Sequence, residues 1–80
     1  MDNSEKLMNA LSVVLSQPVA RIRDDSGPDT LPGWDSIAMV NLVLELESAF
    51  GVQFDILEIA ELKSVALIRT VLSEKGVHFD

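Results

Sequence analysis

The chain contains no cysteine, one histidine and one tryptophan. Without cysteine there are neither disulfides nor thiolate metal sites, so a chain of 80 residues is held by packing, by a partner or by a ligand. That absence points to a reducing, cytoplasmic setting. Basic residues are also scarce: six Lys and Arg stand against thirteen Asp and Glu, a formal charge of −7. No basic patch is then expected to neutralise a phosphate backbone, which argues against nucleic acid and for partners with basic surfaces. Nor is there an apolar run long enough for a membrane span, because Asn41, Glu45 and Glu47 break the longest stretches. The opening MDNSEKLMNA is acidic and polar where a secretion signal is basic and then apolar. His78 has no nucleophile or second ligand beside it, and Asp24-Asp25-Ser26-Gly27-Pro28-Asp29 lacks the ligand spacing and closing glutamate of a calcium loop. No metal site, no catalytic residue and hence no enzyme is expected.

What is present is helix periodicity. With 48% apolar residues and room for one core, residues 1–80 are expected to form a single domain. Leu7, Met8, Leu11, Val14 and Leu15 fall on one face of a helix over residues 4–15, with Asp2 and Glu5 spaced as a capping box. Residues 16–34 hold Pro18, Gly27, Pro28, Pro32 and Gly33 and read as a loop, of a length that is uncommon and often functional, which Val19, Ile22, Leu31 and Trp34 can pin to the core. A second and longest helix is expected over residues 36–50, closed by Gly51 and capped by Asp35 or Ser36. Asp55 with Glu58 opens a short third helix to residue 61, Ser64 caps a fourth, and Gly76 ends it ahead of a tail. The expected fold is all-α: a four-helix bundle with a long loop between helices 1 and 2 and a short third helix.

The second helix is apolar on two sides. Met39, Leu42, Val43, Leu46, Ala49 and Phe50 form a core stripe, while Ile37, Val40 and Leu44 lie opposite, among Asn41 and Ser48 and bordered by Glu45 and Glu47. An 80-residue bundle has few layers in which to bury both, so the second stripe is expected at the surface, facing a partner. At the start of this helix, Gly33-Trp34-Asp35-Ser36-Ile37 sets a serine hydroxyl beside the free amides and partial positive charge of a helix N-terminus. Such a position suits a phosphate ester, and Gly33 permits close approach. Taken alone, Asp-Ser before a helix is a weak signal that reads first as plain capping, since serine is a favoured cap.

The wider pattern resolves this. Residues 31–65 resemble the acyl carrier protein family, whose signature G-x-D-S-[LI] is followed by L-x-x-x-[LIV]-E-x-x-F-[GD]-[IV]-x-[IF]; Leu42, Leu46, Glu47, Phe50, Gly51, Val52 and Phe54 take the corresponding places. The resemblance extends, more weakly, over essentially the whole chain. It implies that a phosphopantetheinyl transferase moves 4′-phosphopantetheine from coenzyme A onto Ser36, flanked by Asp35 and Gly33, and that the arm's terminal thiol carries acyl groups as thioesters. It further implies acyl-loading, condensing and acyl-transfer enzymes as partners, with Asp35, Ile37, Val40, Asn41, Leu44, Glu45 and Glu47 as the docking face of a monomer. If cargo withdraws between the helices, Leu46, Phe50, Phe54, Ala60, Leu62 and Ile68 are the expected lining.

The chain departs from housekeeping carriers at Ala38 and Asn41, where acidic residues are usual, and Trp34 in the motif resembles specialised and modular carriers. A stand-alone carrier for a dedicated polyketide, lipid or secondary-metabolite pathway is therefore expected. An aminoacyl or peptidyl carrier is the alternative within the class, and an unmodified helical interaction module the alternative outside it.

Overall fold

The computed structural model describes residues 2–79. It comprises α1 (Asn3–Leu15), a 3₁₀ turn (Val19–Arg21), α2 (Ser36–Phe50), α3 (Ile56–Ala60) and α4 (Val65–Glu74), with no strand among the described residues. The all-α four-helix architecture, the long first connection and the short third helix are those expected. Each helix starts where a side chain can accept from the orphan amides of its first turn: Asp2 from Glu5 N–H, Asp35 from Ala38 N–H, Asp55 from Glu58 N–H and Ser64 from Leu67 N–H. In α3 the Glu58 carboxylate returns the bond to the Asp55 amide, completing a capping box. Gly51 ends α2 in the left-handed region at φ 65°, and Ser16 takes the same conformation at φ 54° after α1.

The core is a leucine-rich layer between the helices. Leu7 and Leu11 of α1, Leu42 and Leu46 of α2, and Val65, Ile68 and Leu72 of α4 are fully enclosed. On α2, Met39 and Phe50 are only partly buried against this cluster, whereas Ala38 is buried. The expected core stripe of α2 is thus centred slightly toward Ala38 and keeps Leu42, Val43 and Leu46 at its middle.

The long loop is a structural part. Ile22, Leu31 and Trp34 are buried as anchors, although Val19 remains exposed. The carbonyls of Asp24 and Ser26 accept from Ala66 N–H at 2.8 Å and Val65 N–H at 3.0 Å. Together with Ser64 Oγ, which accepts from Leu67 N–H at 3.1 Å, they satisfy the first three amides of α4. Arg69 ties this loop to α1, pairing with Asp24 Oδ1 at 3.0 Å and donating to Ser4 Oγ at 3.0 Å.

The residues after Gly76, read from sequence as a tail, are folded into the bundle. Val77 is buried, Asn3 Nδ2 donates to the His78 carbonyl at 3.0 Å, and the Phe79 ring meets Phe50 edge-on with centroids 6.2 Å apart. The Arg69 guanidinium lies 5.3 Å from the Phe79 centroid. Val77 joins the core cluster and Phe79 packs against it, which sequence periodicity does not register.

The short α3 is held from α4 by charge. Lys75 Nζ lies 2.7 Å from Glu58 Oε1, the oxygen that also accepts from Asp55 N–H at 3.0 Å. Glu58 therefore anchors α3 to the end of α4 as well as completing the cap that the sequence shows. The Lys75 hydrogen bond, and after it the Asp55 amide, hold the Glu58 carboxyl below the usual glutamate range. Because the folded value is depressed, this contribution is complete above the unfolded glutamate range and is lost as pH falls through the lowered folded value. Thermal midpoints followed from neutral to acid pH should accordingly show a smaller acid loss in Glu58→Gln than in the wild type.

Candidate functional site

The site is built at the junction of the long loop and α2. Gly33 adopts φ 88°, and a Cβ placed there would sit 3.0 Å from the Leu15 carbonyl oxygen, so the turn is pressed against the end of α1. Trp34 follows, buried, with its indole Nε1–H donating to Met39 Sδ at 3.3 Å. Asp35 is the cap: its Oδ1 accepts from Ala38 N–H at 2.8 Å. Of the two residues able to cap α2, the fold thus uses Asp35, and Ser36 becomes the first helical residue. Ser36 is exposed, and its hydroxyl makes no hydrogen bond among the described residues. A cap serine would have its oxygen committed to the backbone, whereas this one is available to chemistry from outside.

Two apolar grooves start beside Ser36. One, of about 290 Å³, runs under Pro28 and over Trp34 and Leu62. The other, of about 340 Å³, follows α2 along Val40, Val43 and Leu44. Met39 and Ile59 line both. The residues expected to line a cargo space lie elsewhere: Leu46, Leu62 and Ile68 are packed in the core, Phe54 is buried, Phe50 half-buried, and Ala60 exposed. Of those six, Leu62 alone lines either groove. Close packing of branched side chains fills the bundle centre, and room is left where a five-residue α3 cannot cover the flank of α2.

Along α2, the second apolar stripe is at the surface, with Ile37, Val40 and Leu44 exposed at 74%, 61% and 60%. Asp35, Asn41 and Glu45 are exposed beside it. Glu47 is placed otherwise. It is half-buried, and its Oε2 accepts from Phe54 N–H at 2.9 Å, which fastens the turn between α2 and α3. Replacing Glu47 by Ala leaves that amide without its partner and should cost about 1–3 kcal/mol in thermal or urea unfolding, while Glu45→Ala should stay within about 0.5 kcal/mol of wild type. The sequence reading also passed over Ile56 and Leu57, which α3 exposes at 84% and 77%. The signal was available: a helix of five residues cannot bury apolar side chains on every face.

Residues 5–72 match the family described as the phosphopantetheine attachment site. The chain belongs to the phosphopantetheine-attachment family. None of the curated proteins compared with it matches at a significant level. Members of this family are non-catalytic carrier domains whose prosthetic group is 4′-phosphopantetheine, and carriage on that group is the function of this one. A carrier interacts with a phosphopantetheinyl transferase and with the enzymes of its pathway. No helix among the described residues is long and apolar enough to cross a membrane, and no cluster of potential metal ligands occurs among them.

Proposed function

We propose that this carrier is an acyl carrier protein, a single domain over residues 1–80, in which Ser36 Oγ receives 4′-phosphopantetheine from coenzyme A. The observation that carries the assignment is the division of labour at the start of α2: Asp35 caps the helix, leaving the exposed Ser36 hydroxyl uncommitted. The residues present fit the group. A phosphodiester on Ser36 would lie at the N-terminal turn of a 15-residue helix, where the partial positive charge favours it, and the left-handed Gly33 turn keeps the approach clear of a side chain. When bound, the group supplies a terminal thiol that holds an acyl cargo as a thioester. The protein's contribution is to display the serine on a rigid helix and to present a surface on which partner enzymes settle.

That surface is the stripe of Ile37, Val40 and Leu44, with Asn41 between them and Asp35 and Glu45 supplying negative charge for basic partners. With Ala38 buried and Asn41 uncharged, apolar contact carries more of the docking here than in a strongly acidic face. The reading favours a monomeric cytoplasmic carrier that serves acyl-loading, condensing and acyl-transfer enzymes of a dedicated polyketide, lipid or secondary-metabolite pathway. The test of the assignment is incubation with coenzyme A and a promiscuous phosphopantetheinyl transferase, followed by intact mass. Gain of one phosphopantetheine that disappears in Ser36→Ala supports it, and no gain in the wild type refutes it. A second measurement addresses the face. Leu44→Ala should leave the thermal midpoint within about 2 °C of wild type yet slow loading by the transferase or turnover by a cognate enzyme, as loss of an interface anchor does. A loss of several kcal/mol in stability would instead place Leu44 in the core.

A further inference from the structure

Three hydrogen bonds span Ser36, and none of them uses its side chain. Asp35 Oδ1 accepts from Ala38 N–H at 2.8 Å, the Asp35 carbonyl accepts from Met39 N–H at 2.9 Å, and the Trp34 indole Nε1–H donates to Met39 Sδ at 3.3 Å. The first two belong to any helix with an aspartate cap. The third does not, because it joins a loop side chain to the first turn of α2. Trp34 is enclosed in the core cluster, and Met39 is half-buried against it, whereas Asp35 and Ser36 stand at the surface. A sulfur is a weak acceptor, but here the donor is a ring that packing holds still.

We propose that Trp34 and Met39 are positioning residues for the loading of Ser36: their N–H···S bond ties the head of α2 to the core and holds the Ser36 Cα–Cβ bond in one direction. This rests on Ser36 as the attachment site and deepens that reading by naming what aims its hydroxyl. Loading forms the Ser36 Oγ–P bond and breaks the pyrophosphate P–O bond of coenzyme A; 3′,5′-adenosine diphosphate leaves, and the hydroxyl proton passes to the transferase. Phosphoryl transfer needs the attacking and leaving oxygens roughly in line, so a hydroxyl that sweeps a wide arc is seldom aimed. An exposed residue on a first helical turn has that freedom, because helix ends fray and Ser36 has no bond of its own. Loss of the tie should therefore slow the step within the complex and leave binding alone, since the exposed stripe of Ile37, Val40 and Leu44 keeps its side chains.

Trp34 is the single tryptophan, so one indole N–H resonance reports the tie through its hydrogen exchange. Met39→Leu keeps an apolar side chain of similar volume and removes the sulfur, Trp34→Phe keeps a buried ring and removes the donor, and Met39→Gln returns an oxygen acceptor at similar length. Indole exchange should quicken in Met39→Leu and slow again in Met39→Gln. Loading from coenzyme A by a promiscuous transferase is followed by intact mass in single turnover, with the transferase in excess and its concentration varied. Met39→Leu and Trp34→Phe should each lower the maximal rate about three- to tenfold while moving half-saturation by less than about twofold. The double variant should be no slower than the slower single, because both remove the same bond, and Met39→Gln should recover the wild-type rate. A wild-type maximal rate in Met39→Leu overturns the proposal, as does a double variant that loses the product of the two single effects. Should Trp34→Phe fold poorly by far-UV circular dichroism, Met39→Leu and Met39→Gln decide alone. Either overturning result leaves Ser36 standing as the attachment site; absence of a mass gain in the wild type removes that site, and this inference falls with it.

Discussion

Ser36→Ala should eliminate acceptance of phosphopantetheine while leaving a folded protein. Both halves of the expectation follow from the start of α2. The Asp35 side chain, not Ser36, accepts from Ala38 N–H, so the hydrogen bond that begins the helix survives the substitution. The side chain removed is exposed and makes no hydrogen bond among the described residues, and alanine has a high intrinsic helix propensity. Far-UV circular dichroism and the thermal midpoint should therefore match wild type to within about 0.5 kcal/mol. Loading, measured by intact mass after long incubation with excess transferase, should fall to nothing, because no carboxylate, amide or thioether nearby can form the same phosphodiester. Asp35→Ala gives the complementary result: it removes the cap, costs about 0.5–2 kcal/mol, and leaves the Ser36 hydroxyl in place for modification. A Ser36→Ala chain that still gains the full mass would locate attachment elsewhere.

Gly27→Ala should be among the most damaging single-methyl substitutions in the chain. Gly27 is buried in the long loop, and a Cβ there would collide with the backbone carbonyl oxygen of Lys63, an atom with no rotamer to retreat to. Its neighbour Ser26 accepts from Val65 N–H, and Asp24 accepts from Ala66 N–H, so any movement that relieves the clash also pulls two acceptors from the start of α4. Overpacking of this kind typically costs about 1–3 kcal/mol, and an amide left without a partner about as much again. For a domain whose total stability is of order 5–15 kcal/mol, the combined loss should appear as a large fall in thermal and urea midpoints. Gly51→Ala is a useful comparison. Its φ of 65° strains an alanine as well, but no atom lies within 4 Å of the added methyl, so its cost should be the backbone penalty of about 1–2 kcal/mol alone. Equal losses in the two variants would show that the contact with Lys63 can yield.

The comparison of Asp35 with Ser36 shows how far sequence reading reaches at the site. Two good caps stand side by side, and either satisfies the rule for a helix start; which one is used depends on the path by which the loop enters, set by the Gly33 turn against Leu15 and the burial of Trp34. Glu47 and Glu58 make the same point for charge. On a helical projection both face outward, yet each is taken up by a group across a turn or on another helix: Glu47 by the Phe54 amide and Glu58 by Lys75. The grooves beside Ser36 were likewise missed in favour of residues deeper in the bundle. Periodicity identifies which side of a helix is apolar and not whether neighbouring side chains close over it.

The sequence by itself determined the helices, their order, the exposed stripe of Ile37, Val40 and Leu44, and the placement of a serine at the head of α2, because these follow from local propensity, capping and the 3.6-residue period. Only the tertiary structure decided that the long loop caps α4, that Val77 and Phe79 return to the bundle, and that two grooves open beside Ser36. Those features join residues distant in the chain, such as Ser26 with Val65 and Asn3 with His78. Their pairing depends on where packed helices leave backbone groups to satisfy and apolar surface to cover, which no local pattern encodes.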